Sequence, residues 1–401
     1  MRVRTTRTKD FKDLKGCLLF RATDFASLMR PITFFSGIFG FFPCNYKSEE
    51  YVFSKKKFVY SIIIICLHLV LQVYNFLLAN FLDTIKSITK SMSDNMFVLL
   101  DGSLPLLLFA APFSMSAMFD QLSKLSRTLP RQDFSDMAKV IRTVCIVNAV
   151  FYVCLIPACY FNVFKITVLR LSISLYFAVS STTSVLCYIS CVPVLGACLK
   201  KLNEDLKQLN RSSPDLHVEL AEKQLSRRQS TMLLMKVKYY EEVHENISDA
   251  VEHLNRLFRT VVIFYTTSTF VSVTLSLYNM FTKWDTSGDR ITTIDLLFIF
   301  VGLLYSSLRF GMFCVIVWFC ETAANHAADI VITIHDCVSH CTDNTVKREL
   351  KYFVLQVIHR DITFTTKAFD INGKLLSQIL SAIFMYVMIL YQFLTGSNCT
   401  N

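Results

Sequence analysis

A chain of 401 residues, 53% of them hydrophobic, with a mean hydropathy of +0.43, is too apolar for an ordinary soluble protein. Only 10 glycines and 8 prolines argue against a β-rich or low-complexity chain. A net charge of +10 in a soluble protein would suggest nucleic acid, but here the charges sit between hydrophobic runs. They read as orientation signals in a membrane, with no nucleic-acid partner.

The chain opens on a basic, polar stretch, MRVRTTRTKDFKDLKG. The apolar patch at 17–20 falls short of a signal-peptide core, which needs about 7–15 apolar residues. The chain is therefore expected to enter the membrane through its own first span, with its amino end in the cytosol. Leu28-Met29-Arg30-Pro31 and the following ITFFSGIFGFFP (32–43) form an aromatic run too short to cross a bilayer. It reads as a helix lying in the interface. Residues 1–57 thus form a cytosolic segment carrying an interfacial helix.

Seven longer apolar runs follow, at roughly 58–82, 96–119, 143–164, 171–199, 260–281, 294–320 and 374–394. Each is long enough for a helix at 1.5 Å rise to cover a hydrocarbon core of about 30 Å. The expected organisation is spans one to four within 58–199 and a cytosolic helical linker at 200–259. Spans five and six occupy 260–320, a cytosolic helical segment 321–373, and span seven with a short outer tail 374–401. Pro105, Pro112, Pro157 and Pro193 lie inside spans, where neighbouring helices satisfy the freed carbonyls.

Lys and Arg alternate strongly along the connecting segments. The amino-terminal segment, 120–142, 200–259 and 321–373 hold 33 of them, and the three intervening loops hold 6. The positive-inside rule places the rich set in the cytosol, so the amino terminus is inside and the carboxy terminus outside. A G-protein-coupled receptor has the opposite orientation. It would also carry Asp-Arg-Tyr after span three and Asn-Pro-x-x-Tyr in span seven, and neither is present. A membrane transporter would show internal repeats, which this chain lacks.

The cytosolic segments carry apolar residues at helical spacing. Leu220, Leu225, Leu233, Val237, Val251 and Leu254 mark 218–258, with a break at Ser212-Ser213-Pro214. Residues 322–355 read as one further helix. Such helices pack on one another or on a second subunit.

No catalytic constellation or phosphate-binding loop is present, so no enzyme activity and no cofactor are expected. His326, His335, Cys337, His340 and Cys341 cluster, but their spacing matches no zinc finger; packing is expected and no metal. Most of the 14 cysteines fall in spans or cytosolic segments, where thiols stay reduced. Asn398-Cys399-Thr400 is an outward-facing sequon, too close to the membrane and the chain end for ready use.

Intramembrane charges are informative, because each costs about 2.5–3.5 kcal/mol at a helix centre on insertion scales. Arg309 in span six either snorkels, pairs with a neighbour or faces a cavity. Asp295 reads as a helix-start residue in the headgroups or a cavity residue. Asp101 in span two reads as a packing residue or as the wall of an outward-facing cavity. The outer halves of spans two to six also hold Tyr160, Tyr176, Ser180, Tyr278, Asn279 and Tyr305, which read as interfacial belt and packing or as ligand contacts.

The last run, KLLSQILSAIFMYVMILYQFL (374–394), ends in Tyr386, five residues from Val387 to Tyr391, then Gln392-Phe393. A glutamine there needs a face turned from lipid. This pattern, with the lead-in from Ile362 to Leu376, resembles the carboxy-terminal signature of insect gustatory receptors. Met385 stands where that family usually has Thr. The resemblance is close over roughly the last 45 residues and architectural elsewhere, including the Gly-aromatic-Pro segment before span one.

The resemblance implies an all-α, seven-span channel of inverted topology, four subunits surrounding one pore lined by span seven. Phe393 would be the hydrophobic plug and Gln392 the polar lining, with Tyr386 and Leu390 holding the gate region. Tastants would bind among the outer halves of the spans, at Asp101 and the tyrosines, serine and asparagine named above. The implied partners are a small-molecule tastant, membrane lipids, permeant cations and further receptor subunits, as homotetramer or heteromer. The implied place is the plasma membrane of gustatory neurons. The implied function is a weakly selective cation channel gated by bitter plant compounds, with sugars as the alternative ligand class.

Overall fold

The computed structural model describes residues 22–47, 50–78, 80, 95–110, 112–158, 168–211, 222–287 and 293–398. The expected break at Ser212-Ser213-Pro214, Tyr160 and Cys399 lie outside these residues.

Helix α1 (Phe25–Ile38) starts on a capping box: Asp24 Oδ1 accepts from the Ser27 amide at 2.7 Å, and Ser27 Oγ accepts from the Asp24 amide at 3.1 Å. It buries Phe25, Leu28, Met29 and Ile32 and exposes Phe34, Phe35 and Ile38. Gly40 ends this segment at φ 81°, with space for a Cβ closed by Ile64 and the Ser61 backbone at 3.1–3.2 Å. A hairpin follows, β1 (Cys44–Lys47) paired antiparallel to β2 (Glu50–Phe53). The sequence reading allowed only helices, so this hairpin amends it. Tyr51 explains its stability, because the ring meets Phe25, Phe42 and Phe119 edge-on at 5.6–6.3 Å.

Among the described residues, six helices are long and apolar enough to cross a membrane. They are α2 (Lys55–Leu77), α5 (Arg131–Ala158), α6 (Val168–Arg211), α7 (Glu222–Ser287), α8 (Thr293–His340) and α10 (Gly373–Asn398). The expected second span is not one straight helix. A π-helical turn (Phe97–Asp101) leads into α3 (Gly102–Phe109), which bends by 71° into α4 (Pro112–Leu125). Pro112 brings no amide hydrogen to continue the ladder, so the helix restarts there. Counting this bent pair as one span gives seven.

Helices α6, α7 and α8 have 44, 66 and 48 residues. At 1.5 Å per residue these run for about 66, 99 and 72 Å, well over twice a hydrocarbon core of about 30 Å. They therefore continue as helices outside the bilayer. In α6 the most apolar stretch is 83% buried, against 17% in α10, so α6 is the central post and α10 lies at the margin. Around α6, Tyr188 packs on Phe258 of α7 at 5.4 Å and reaches Cys320 of α8 at 3.3 Å.

Residues 322–355 were expected as one helix, but α8 stops at His340 and α9 (Asn344–His359) begins after a break at 341–343. Asp343 causes the restart by accepting from the Thr345 amide at 2.7 Å. A bond from Ser230, and after it the one from the Thr345 amide, hold its carboxyl below the usual range. Helix α9 lays Val346, Leu350, Phe353 and Val357 against α7 and α8. Arg360 then pairs with Glu245 at 2.9 Å and Asp249 at 2.7 Å, and Asn255 donates to the Thr363 carbonyl at 2.8 Å. These contacts tie the lead-in of α10 to α7, and Asn372 caps α10 through the Leu375 amide at 3.1 Å.

His244, in the part of α7 below its span, is fully buried against Phe353, and neither ring nitrogen has a hydrogen-bond partner among the described residues. Burial, with the Arg360 charge behind it, pushes its pKa down to about 4. The unfolded chain therefore binds one more proton between pH ~6.5 and ~4, so this contribution to stability is lost as pH falls through that window. The thermal midpoint of detergent-solubilised protein is expected to fall over that range, and His244→Leu to flatten the slope. Equal slopes in both proteins would rule His244 out as the cause.

Candidate functional site

The polar residues of the apolar bundle converge on the π turn that starts span two. A π turn leaves carbonyls off the regular ladder, and buried carbonyls need donors. Helix α2 supplies two of them: Gln72 Nε2 donates to the Val98 carbonyl at 3.0 Å, and His68 Nε2 lies 2.6 Å from the Gly102 carbonyl. Ser103 Oγ donates to the Leu99 carbonyl. A carbonyl only accepts, so His68 carries its proton on Nε2, and Nδ1 accepts from the Tyr176 hydroxyl at 3.2 Å.

Asp101 closes the π turn and is 1% exposed. Its carboxylate meets Arg309 of α8, with Nη1 at 2.5 Å from Oδ2. Ser268 of α7 bridges the pair, donating to Asp101 Oδ1 at 2.8 Å and accepting from Arg309 Nη2 at 3.1 Å. Tyr305 accepts from Arg309 Nη1 at 3.0 Å and donates to Asp101 Oδ2 at 3.4 Å. The Tyr265 hydroxyl donates to the Arg309 carbonyl at 3.0 Å, and the guanidinium carbon stands 4.9 Å above the Tyr265 ring. Two buried charges are thus neutralised and hydrogen-bonded from three spans, the condition under which such a pair is tolerated in an apolar medium.

Of the expected ligand contacts, Asp101 and Tyr305 meet at this pair, and Tyr176 joins its edge through His68. Ser180 is buried and donates to the Phe177 carbonyl at 3.1 Å. Tyr278 and Asn279 lie half-buried further along α7. Between them, Tyr152 bonds Thr182 at 2.5 Å and Phe151 stacks on Tyr305 at 6.2 Å, giving an aromatic wall. Among the described residues no group of three His, Cys, Asp or Glu is placed to hold a metal. His68, Gln72, Ser268 and Tyr265 were not singled out from the sequence. For the first two the signal existed: His68, Gln72 and Asn75 recur at helical spacing in an otherwise apolar span.

The second group of expected residues lies on α10. Ile383 and Val387 turn inward, and Leu390 is half-buried. Tyr386 meets Phe270 of α7 edge-on at 5.7 Å. Phe384, Met385, Met388 and Ile389 are exposed, as is Phe393 at 74%, with Gln392 beside it. Asn398 ends the helix.

No curated protein matches this sequence. Among solved structures, the insect olfactory receptor OR5 from Machilis hrabei in complex with eugenol is similar at a TM-score of 0.68, with 11% identity over 91% of this chain and 97% of that one. A second structure of the insect olfactory receptor OR5 from Machilis hrabei gives a TM-score of 0.67 at the same identity and coverage. At this identity the likeness is one of fold. The family profile described as 7tm Chemosensory receptor matches residues 29–394, nearly the whole chain. This multi-pass membrane protein therefore belongs to the 7tm chemosensory receptor family, a family of receptors and not of enzymes.

Proposed function

We propose that the chain is a gustatory receptor: a tastant-gated, weakly selective cation channel of the plasma membrane, built from four subunits around α10. The observation that carries this reading is the face of α10. Phe384, Met385, Met388, Ile389 and Phe393 are uncovered in one copy of the chain, on the helix that carries the Tyr386, Gln392 and Phe393 signature. Met232, Met235, Tyr239, Tyr352, Leu355 and Ile358 are exposed on the extended parts of α7 and on α9, which the inverted topology would place in water rather than lipid. Neighbouring subunits would cover them, whether identical copies or partner receptors.

The carboxy-terminal signature favours the gustatory over the olfactory type. The ligand reading follows from the site: Asp101, Ser268, Tyr176, Ser180 and Tyr152 already satisfy one another or the backbone, and Arg309 leaves only its Nε without an acceptor among the described residues. A sugar needs open donors and acceptors, whereas an apolar aromatic molecule needs the walls that Phe151, Tyr152 and Tyr305 provide. This supports bitter plant compounds over sugars, and the small aromatic ligand of the similar olfactory receptor agrees with it. A ligand that binds the open arrangement more tightly shifts the channel towards it.

Orientation is the first test. An amino-terminal epitope tag is expected to bind antibody only after cells are permeabilised. Labelling of intact cells would overturn the inverted topology and with it the channel.

A further inference from the structure

We propose that the Asp101–Arg309 pair couples the π turn of span two to the pore helix, so that its making and breaking biases the gate. The proposal rests on the channel reading above.

A coupling element needs two discrete arrangements, and the π turn supplies them. It holds one residue more than an α turn, and such turns recur at functional sites. Closing it to α geometry would rotate the backbone on its amino-terminal side against α3 by about 100°, the angle per residue of a 3.6-residue turn. With Asp101 at the junction, that rotation carries the carboxylate off Arg309 and Ser268. It also withdraws the Val98 and Gly102 carbonyls from Gln72 and His68. Pairing with Arg309 therefore selects the π arrangement, and the two donors from α2 reinforce it.

The other side of the pair faces the pore. Ser268 binds both charges, and two residues further along α7 the Phe270 ring meets Tyr386 of α10 at 5.7 Å. Arg309 is additionally fixed to α7 through its own carbonyl and Tyr265. A shift of α7 at Ser268 thus arrives at the middle of α10 after half a helical turn. Tyr305 couples the same pair to the aromatic wall through Phe151, which places a ligand at that wall in contact with the switch.

The test uses the full chain in cultured cells and reads basal cation current without ligand, divided by surface protein measured by biotinylation. Asp101→Asn and Arg309→Gln are each expected to change basal current per surface copy at least about fivefold, the lower end of ordinary coupling. The double variant is expected to depart from the product of the singles by a similar factor. Ser268→Ala, which leaves both charges paired, is expected to move basal current in the same direction as the singles. Labelling of Met388→Cys by a small cationic thiol reagent, read against the chain without that cysteine, is expected to change rate with them. Multiplicative singles, an inert Ser268→Ala and unchanged labelling would overturn the proposal and leave the pair a packing feature. Should Asp101→Asn and Arg309→Gln fail to reach the surface, Ser268→Ala and Asp101→Leu/Arg309→Met decide it: wild-type current and labelling in both overturn it. Absence of current from wild type and every variant would sink the channel reading instead, and the labelling rates alone would then uphold or overturn the coupling.

Discussion

Asp101→Leu with Arg309 left in place is expected to destabilise the protein by about 3–5 kcal/mol, the cost of stranding one member of a buried pair. Arg309 is nearly fully buried, and its Nε finds no acceptor among the described residues even in the intact pair. Removing the carboxylate leaves the Ser268 and Tyr305 hydroxyls and the Tyr265 ring, but no counter-charge among the described residues, near a guanidinium that cannot shed its proton. Asp101→Leu/Arg309→Met removes both charges at similar volume and is expected to recover most of the loss, because a well-packed apolar pair often matches a buried ion pair. Thermal midpoints of the detergent-solubilised proteins decide the matter. A single variant as stable as wild type, or a double variant less stable than the single, contradicts this account.

Phe393→Ala is expected to raise basal cation current per surface copy on the order of tenfold, equivalent to about 1.4 kcal/mol at the gate. Phe393 is the most exposed large apolar side chain among the described residues of α10 and lies near its carboxy-terminal end. In a four-fold assembly the four rings would narrow the pore to an apolar constriction that excludes water, and alanine would let it wet. Phe384→Ala, exposed at 65% in one copy but about half a turn round the helix from Phe393, is a comparison nearer the middle of the helix. Unchanged basal current in Phe393→Ala at normal surface density would remove this residue from the gate.

Composition and hydropathy sufficed for the class of the protein, since long apolar helices are the natural way for one helical chain to satisfy its backbone in lipid. Six of the seven runs fall on long helices, four of which extend well beyond the expected bounds: α5, α6, α7 and α8. The carboxy-terminal signature was legible because Tyr386, Gln392 and Phe393 are set by spacing within one helix. Local chemistry was partly legible as well. Asp343 marked the start of α9 by a cap that was overlooked, and Pro112 marked the break in span two. The hairpin at 44–53 was hidden, because four-residue strands leave too short an alternation to detect, and theirs depends on Phe119 far along the chain.

Hydropathy and spacing by themselves thus determined that this is a helical membrane protein, where its long apolar helices lie and which residues mark its last helix. These are local properties, readable from neighbours within a few turns. Only the tertiary structure decided that Asp101 meets Arg309 across 208 positions, that Ser268 joins them, and that His68 and Gln72 hold the π turn. A buried charge announces its need for a partner through its desolvation cost, but not which partner. That choice depends on how separate helices rotate and pack, and no single helix encodes it.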